Sequence, residues 1–344
     1  MFIKTLFIFW LSLSVILSGC APIAPDKAGK KEVPVARDFF AMDTYCKITA
    51  YGANAEKAAD AAQKEIRRLE ALVSSHAEDS EVSRLAKNRS AVVSVDTAAL
   101  LSQSLALHEE TGGAFDITLA PVSQCWGFPH GPYHAPDEAE IKNALAKTGM
   151  SFIRWEAGTR NCTLDGREIS LDFGGIAKGY AAEKMTEKLA QDNISSAIIN
   201  LGGNVKAVGA KPDGSSWRVG LQHPDEKESY LGILSVTDTS VVTSGDYERY
   251  FIKDNVRYHH ILDPKTGMPA QNGTRSVTIV CRDCTLADGL STALFVMGPG
   301  AAIKFWQSHR DRFQFIMFAQ DKTLYVSEGL LPVFATKLTV TPVK

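Results

Sequence analysis

The sequence has no GxSxG elbow, no P-loop, no GxGxxG fingerprint and no cluster of histidines and cysteines at zinc-binding spacing. A Ser-His-Asp hydrolase, a dinucleotide-binding fold and a zinc enzyme therefore lack their usual signatures. Charge of one sign is also missing. Lys and Arg number 37 against 39 Asp and Glu, and a net charge of −2 offers no surface for nucleic acid. Internal repeats and low-complexity blocks are absent. Cysteine is sparse: of six, five lie beyond Cys20, and an odd number does not make a disulfide framework. Cys281 and Cys284 form CRDC without a second CxxC or an HxxxH. They read as idle buried thiols, or as a local disulfide in an oxidising compartment.

What is present begins with MFIKTLFIFWLSLSVILSGC, a short basic end followed by an apolar run. The run is about a dozen residues, and a membrane span needs roughly 20, so an export signal fits better than an uncleaved anchor. Its ending, LSGC, resembles the bacterial lipobox, which makes residues 1–19 a lipoprotein signal peptide and Cys20 the lipidated first residue. Lipid there would hold the protein at a membrane face without spanning it. Ala21, in place of the aspartate of inner-membrane retention, favours the periplasmic side of an outer membrane. Residues 20–37, rich in proline, lysine and alanine, read as a tether reaching on the order of 45 Å.

Residues 38–335 read as one compact α+β domain with a largely antiparallel sheet, packed helices and room for two lobes. Phe39–Gly52 alternates as β structure. Ala58, Ala62, Ile66, Leu69 and Val73 share one face of a helix over Ala55–Ser74. Further helices are expected at Thr97–Glu110, Pro136–Lys147, Leu286–Met297 and Ala301–His309. Ile169–Phe173 is expected as a short strand leading into a helix that ends near Asp192. Strands follow at Ser196–Asn200, Val205–Val208, Trp217–Gln222, Leu231–Val242 and Ser276–Cys281. Tyr250–Leu262 and Phe313–Ser327 read as hairpins.

Five stretches could carry chemistry. In LDFGGIAKG, Leu171 to Gly179, a glycine turn enters a helix and presents free amides and a positive dipole end beside Lys178, which suits phosphate. Asp172 then suits a sugar, a base or a lysine; equally, the glycines could only let a helix pack on a strand. In LADGLSTALFVMG, Asp288 and Thr292 are four apart, one helical turn, and could share a hard cation such as Mg²⁺. A helix-start charge and a packing hydroxyl would look the same. In RYHHILDPKTGMPA, His259 and His260 precede a strong turn and point to opposite faces if extended, so one can serve a pocket as an acid–base group. GGAFDITLAPV holds Asp116 beside Phe115. VVTSGDYERYF is a further turn with hydroxyls.

Taken in order, MDT at Met42, GAFD at Gly113, LDFGGIAKG, INLGGN at Ile199, TSG at Thr243, HILDPKTG at His260 and ADGLSTA at Ala287 resemble the ApbE family of flavin transferases. These are FAD:protein FMN transferases and usually periplasmic lipoproteins, and the resemblance spans residues 38–330. It implies that the glycine turn holds the diphosphate of FAD near Mg²⁺. Met42, Ala114, Phe115, Asp116, Asp172, Lys178 and Ile261 would line the flavin nucleotide site. His76 stands where the family usually has a tyrosine or another large aromatic. The backbone oxygen of Gly175 and the side chains of Asp288 and Thr292 would bind the metal, with Ser291 beside them. The implied reaction is attack of an acceptor threonine or serine hydroxyl on the FMN-side phosphorus, with His260 as base and AMP as leaving group. The acceptors implied are flavin subunits of membrane redox complexes. A Mg²⁺-dependent FAD pyrophosphatase on the same fold would need few changes, and a non-catalytic FAD-binding lipoprotein is a third reading. Tyr45, expected near the flavin edge, favours transfer over hydrolysis. His260, Asp288 and Thr292 together argue against mere storage.

Overall fold

The computed structural model describes residues 33–165 and 168–344. The signal peptide, Cys20 and the tether up to residue 32 lie outside the described residues. Strands β1 (Val35–Ala41) and β2 (Thr44–Tyr51) open the fold, followed by helices α1 (Ala55–Val73) and α2 (Glu81–Asn88), strand β3 (Ser90–Val92), and helices α3 (Val95–Glu110), α4 (Ala120–Cys125) and α5 (Glu138–Leu145). Strands β4 (Ile153–Glu156) and β5 (Asn161–Leu164) precede helix α6 (Ala177–Gln191). Strands β6 (Ser196–Leu201), β7 (Asn204–Val208), β8 (Trp217–Gln222), β9 (Tyr230–Val236), β10 (Ser240–Gly245), β11 (Tyr250–Lys253), β12 (Val256–His259) and β13 (Thr274–Cys281) lead to helix α7 (Cys284–Ser308). Strands β14 (Gln314–Ala319), β15 (Leu324–Ser327), β16 (Phe334–Ala335) and β17 (Val340–Val343) close the chain.

Nine strands make one sheet, in the order β1-β2-β6-β7-β10-β13-β14-β15-β17. Every neighbouring pair is antiparallel except β15 and β17. This is the mixed α+β architecture that the pattern of elements implies, and the described residues form one unit from Val33 to Lys344. The unit is wider than residues 38–335: β1 starts at Val35, inside the expected tether, and β17 adds an edge strand beyond 335.

Period-2 alternation assigns the two faces of the sheet. Ile48, Ile199, Val242, Ile279, Phe315 and Met317 point into a core shared with α1, α6 and α7. Val205, Val241, Val280, Ile316 and Phe318 point the other way, into a second core with the small sheet β16-β9-β8. A third cluster holds Val122, Trp126, Phe128, Ile141 and Leu262 beneath the β11–β12 hairpin. The room for two lobes is thus filled by layers and a satellite core within one unit. Helix α7 has the length and apolar composition of a membrane span, but Leu290, Leu294, Phe295 and Trp306 are buried in the first core.

Local signals explain most boundaries. Ser94 and Asp283 cap α3 and α7, accepting from Thr97 N and Leu286 N, and Asp137 with Glu140 forms a capping box on α5. Gly298, at φ 76°, interrupts α7 just before Pro299, which is why two helices were legible there. Two expectations need correction. Leu231–Val242 is not one strand: Asp238, at φ 48°, turns the chain and sends β9 and β10 to different sheets. Ile169–Phe173 is buried and alternating but is not a strand. Its backbone bonds go to a loop and a side chain, Asp172 N to Ile117 O at 2.7 Å and Arg89 Nη1 to Ile169 O at 2.9 Å.

Helices α6 and α7 touch at Gly179. A Cβ there would lie 2.2 Å from Cys284 O and 2.7 Å from Asp288 Cβ. The nearest atom is backbone, so the helices would have to separate. Gly179→Ala should cost about 1–3 kcal/mol, read as a lowered urea midpoint; an unchanged midpoint would contradict the contact.

Candidate active site

A cavity of about 490 Å³ falls in the range of cofactor sites. The β1–β2 turn (Met42–Thr44), the segment after α1 (Ser74–His76), the loop Ala114–Asp116, the bend Asp172–Lys178, the end of β10, and His260–Leu262 surround it, with Asp288 and Thr292 from α7. These seven separate stretches of sequence need the whole fold to meet. Of the residues expected in the site, Met42, His76, Ala114, Phe115, Asp116, Asp172, Gly175, Lys178, His260, Ile261, Asp288 and Thr292 all line this cavity.

The bend that starts α6 is built for an anion. Phe173 O accepts from Ile176 N and Ala177 N, and no side chain caps the helix start. A helix N-terminus left this way directs amides and the positive dipole end into the cavity. Lys178 adds a full charge; its Nζ lies 3.2 Å from Gly174 O and 4.0 Å from Asp288 Oδ1. The other oxygen of Asp288 accepts from Gly179 N at 2.8 Å. One carboxylate oxygen is therefore fixed by α6 and the second faces Lys178. At Gly175 a Cβ would stand 3.4 Å from Thr292 Oγ1, which brings that peptide to the hydroxyl.

Three further carboxylates of the cavity are each held by a backbone amide. Asp172 accepts from Gly174 N at 2.8 Å, and Asp116 from Thr118 N at 2.7 Å. Glu70 accepts from Met42 N at 2.5 Å and fixes the β1–β2 turn, whose Met42 and Asp43 have positive φ. Such bonds offset the cost of keeping negative charge in a cavity that also attracts anions.

His260 is the pocket-facing member of its pair. Its N–H and its Nδ1 lie 3.1 and 3.2 Å from Arg249 O. A carbonyl can only accept, so Nδ1 carries the proton and Nε2 keeps a lone pair. Burial, reinforced by the Arg249 guanidinium, pushes the ring down to about 3, so it is neutral at physiological pH. His259 points away, edge-on to Phe295, with Nδ1 buried and unpartnered.

Two expectations fail in the cavity. Ser291 does not line it: the fully buried hydroxyl donates to Asp288 O and pairs with Ser244 Oγ, both at 2.8 Å, because its side of α7 packs on β10. Tyr45 stands outside as well, on the outward face of β2, with its hydroxyl 2.5 Å from Asp38. His76 does reach the cavity and meets His130 edge-on, ring centroids 5.3 Å apart. His130, Phe128, Glu248 and Arg249 line the cavity without having been anticipated. Arg249 also donates to Asp43 O at 3.2 Å, tying the β1–β2 turn to the segment after β10. Arg249 lies in the stretch VVTSGDYERYF, where nothing in the pattern distinguishes it from a solvated surface arginine. His130 sits in a Pro-Gly loop with no periodicity to orient it. Cys281 and Cys284 are buried and not joined by a disulfide; Cys281 Sγ donates to Asp283 O at 3.1 Å, and burial pushes its thiol up to about 12.

Residues 42–317 match the profile of the ApbE family. A FAD:protein FMN transferase of Vibrio cholerae is 36% identical over 234 residues, 66% of this chain and 69% of its own length. That of Salmonella typhimurium is 29% identical over 339 residues, 92% of this chain and 97% of its own. Among solved structures, the ApbE protein of Thermotoga maritima superposes with a TM-score of 0.81 at 31% identity, covering 86% of this chain and 98% of that one. The flavin transferase ApbE of Vibrio cholerae gives 0.78 at 28% identity, covering 88% and 99%.

The buried His259 makes stability pH-dependent. Burial holds its pKa down at about 4 in the fold, against about 6.5 in the unfolded chain. Above pH 6.5 both forms are neutral and nothing is lost. As pH falls from 6.5 toward 4, the unfolded state gains a proton that the fold refuses, and this ring should remove about 1.4 kcal/mol per pH unit. Urea unfolding at several pH values should show a shallower acid loss in His259→Phe than in the parent; identical slopes would rule out the buried neutral ring.

Proposed function

This chain belongs to the ApbE family, and we propose on that footing that it transfers FMN from FAD to a hydroxyl of an acceptor protein. One observation carries the reading: the start of α6, Lys178, Asp288 and the free Nε2 of His260 meet in a single cavity.

The bend Asp172–Lys178 is the place for the FAD diphosphate, with the helix amides and Lys178 as its partners. Met42, His76 and the Ala114–Asp116 loop are placed to hold the rest of the nucleotide. A divalent cation fits the donor set at the α6–α7 contact. Asp288, Thr292 and the carbonyl of Gly175 are few, hard oxygen donors, which suits Mg²⁺ and leaves positions for water and phosphate oxygens. Among the described residues no group of three His, Cys, Asp or Glu gathers that would suit a softer metal. When bound, Mg²⁺ would neutralise charge on the diphosphate and so favour AMP as leaving group.

The acceptor hydroxyl attacks the phosphorus on the FMN side, in line with the bridging oxygen. A new P–O bond forms to the acceptor, the bond to the AMP oxygen breaks, and AMP leaves with that electron pair. His260 Nε2 takes the hydroxyl proton, and Arg249 O holds the ring in the tautomer that allows it. Lys178 stays beside the diphosphate throughout.

The lipobox at Leu17–Cys20 and the tether to residue 37 support a lipid-anchored protein at the periplasmic face of a bacterial membrane, the outer membrane being favoured by Ala21. Flavin subunits of membrane redox complexes are within reach of such a tether.

Incubating the purified chain with FAD, Mg²⁺ and a threonine-bearing acceptor peptide should produce covalent flavin fluorescence on the peptide. His260→Asn should slow this about 10²–10⁴-fold while FAD still binds. Asp288→Ala should abolish its dependence on Mg²⁺ together with transfer. Free FMN without labelled peptide would identify a hydrolase, and unchanged FAD a binding protein.

A further inference from the structure

A second cavity, about 500 Å³, lies on the face of the large sheet away from the helices. Its floor is the outward side of β2 and β6, with Lys47, Thr49 and Asn200. Its wall is β8, Arg218 to Gln222. Tyr230 completes it: the ring is 62% exposed and lies over Gly220, where a Cβ would come within 2.8 Å of it.

Three features point to what it holds. First, Gly202, Thr243 and Glu248 line both this cavity and the catalytic one. The division between them is the β6–β7 turn Gly202-Gly203, at φ 59° and 96°, which adds no side chain of its own; Thr44 packs against Gly202, and the Glu248 carboxylate stands 4.0 Å from where a Cβ of Gly203 would be. Second, β8 pairs only with β9, so among the described residues its other edge has no strand beside it. An edge of this kind offers a row of amides and carbonyls to an added strand. Third, Arg218 and Lys47 put cations on the rim; Lys47 shares its charge with Asp38 at 3.6 Å. Just beyond the floor, Phe40 and Tyr45 face each other across β1 and β2, 62% and 61% exposed, and Tyr45 O accepts from Gly202 N.

We infer that this cavity receives the acceptor polypeptide as an extended segment laid along β8, carrying carboxylate side chains to Lys47 and Arg218, and that its hydroxyl reaches the flavin phosphate over the Gly202 turn. The inference rests on the transferase reading. It gives Tyr45 a place on the partner's side of the reaction instead of at the flavin.

The test uses the full chain, FAD, Mg²⁺ and three sets of dodecapeptides, each with one central threonine flanked by glutamate, glutamine or lysine. The parent protein should label the glutamate-flanked peptides with a KM at least tenfold below that for the lysine-flanked ones. Combining Lys47→Glu with Arg218→Glu should reverse that order and leave the KM for FAD unchanged, since neither residue lines the first cavity. Equal KM values for all three sets, or an order the double variant leaves in place, would overturn the docking inference alone. Failure of the parent to label any peptide would overturn the transferase reading, and this inference with it.

Discussion

The N–H of Gly179 donates to Asp288 across a helix contact too close to admit a methyl group. Most of the site follows from that bond. It joins the first turn of α6, whose start attracts anions, to the one buried carboxylate of α7 that faces the cavity. Glu183 reinforces the same junction, accepting from Cys284 N at 2.6 Å and from Lys206 Nζ at 2.9 Å. Because one oxygen of Asp288 is occupied by α6, the other is aimed, and Lys178 is close enough to answer its charge. An alanine at position 179 would lose the geometry before it lost any chemical group.

A site for a diphosphate faces an electrostatic problem, since it also needs carboxylates to hold a cation. Here four carboxylates of the cavity are each bound to a backbone amide: Asp172 to Gly174, Asp116 to Thr118, Asp288 to Gly179, Glu70 to Met42. Their charge is thereby spread into the peptide framework, while Lys178 and Arg249 supply cations directed at the open space. Arg249 acts twice. Its guanidinium and the surrounding burial keep His260 neutral, and its carbonyl selects which ring nitrogen bears the proton. Neutrality and tautomer are separate requirements for accepting a proton, and a single residue meets both.

Much of this was legible because it is local. Asp288 and Thr292 share a helix face by spacing alone, and LDFGGIAKG announces a glycine bend into a helix. Parity said that only one of two adjacent histidines could face a pocket; the packing of His259 on Phe295 decides which. The illegible parts depend on contacts distant in sequence. Ile169–Phe173 alternates like a strand, yet it pairs with no strand in the structure: Asp172 N donates to Ile117 O, and Ile169 O accepts from Arg89. Ser291 is next to Thr292 in sequence, but 100° of helical rotation turns it onto Ser244. Arg249 and His130 are ordinary surface residue types, and only contacts distant in sequence bring them to the rim. Tyr45 had the right neighbours along the chain and the wrong face of its strand.

The first hairpin has a mechanical meaning as well. Strand β1 runs from Val35 to Ala41, and the Met42–Asp43 turn at its far end belongs to the cavity rim. Seven residues at about 3.3 Å each make a stiff arm of roughly 20 Å. Whatever pulls on the chain ahead of residue 33 therefore grips the protein a full strand length behind its entrance. The entrance itself is held separately, by Glu70 on Met42 N and by Arg249 on Asp43 O, so the load path into β1 and the cavity rim do not coincide.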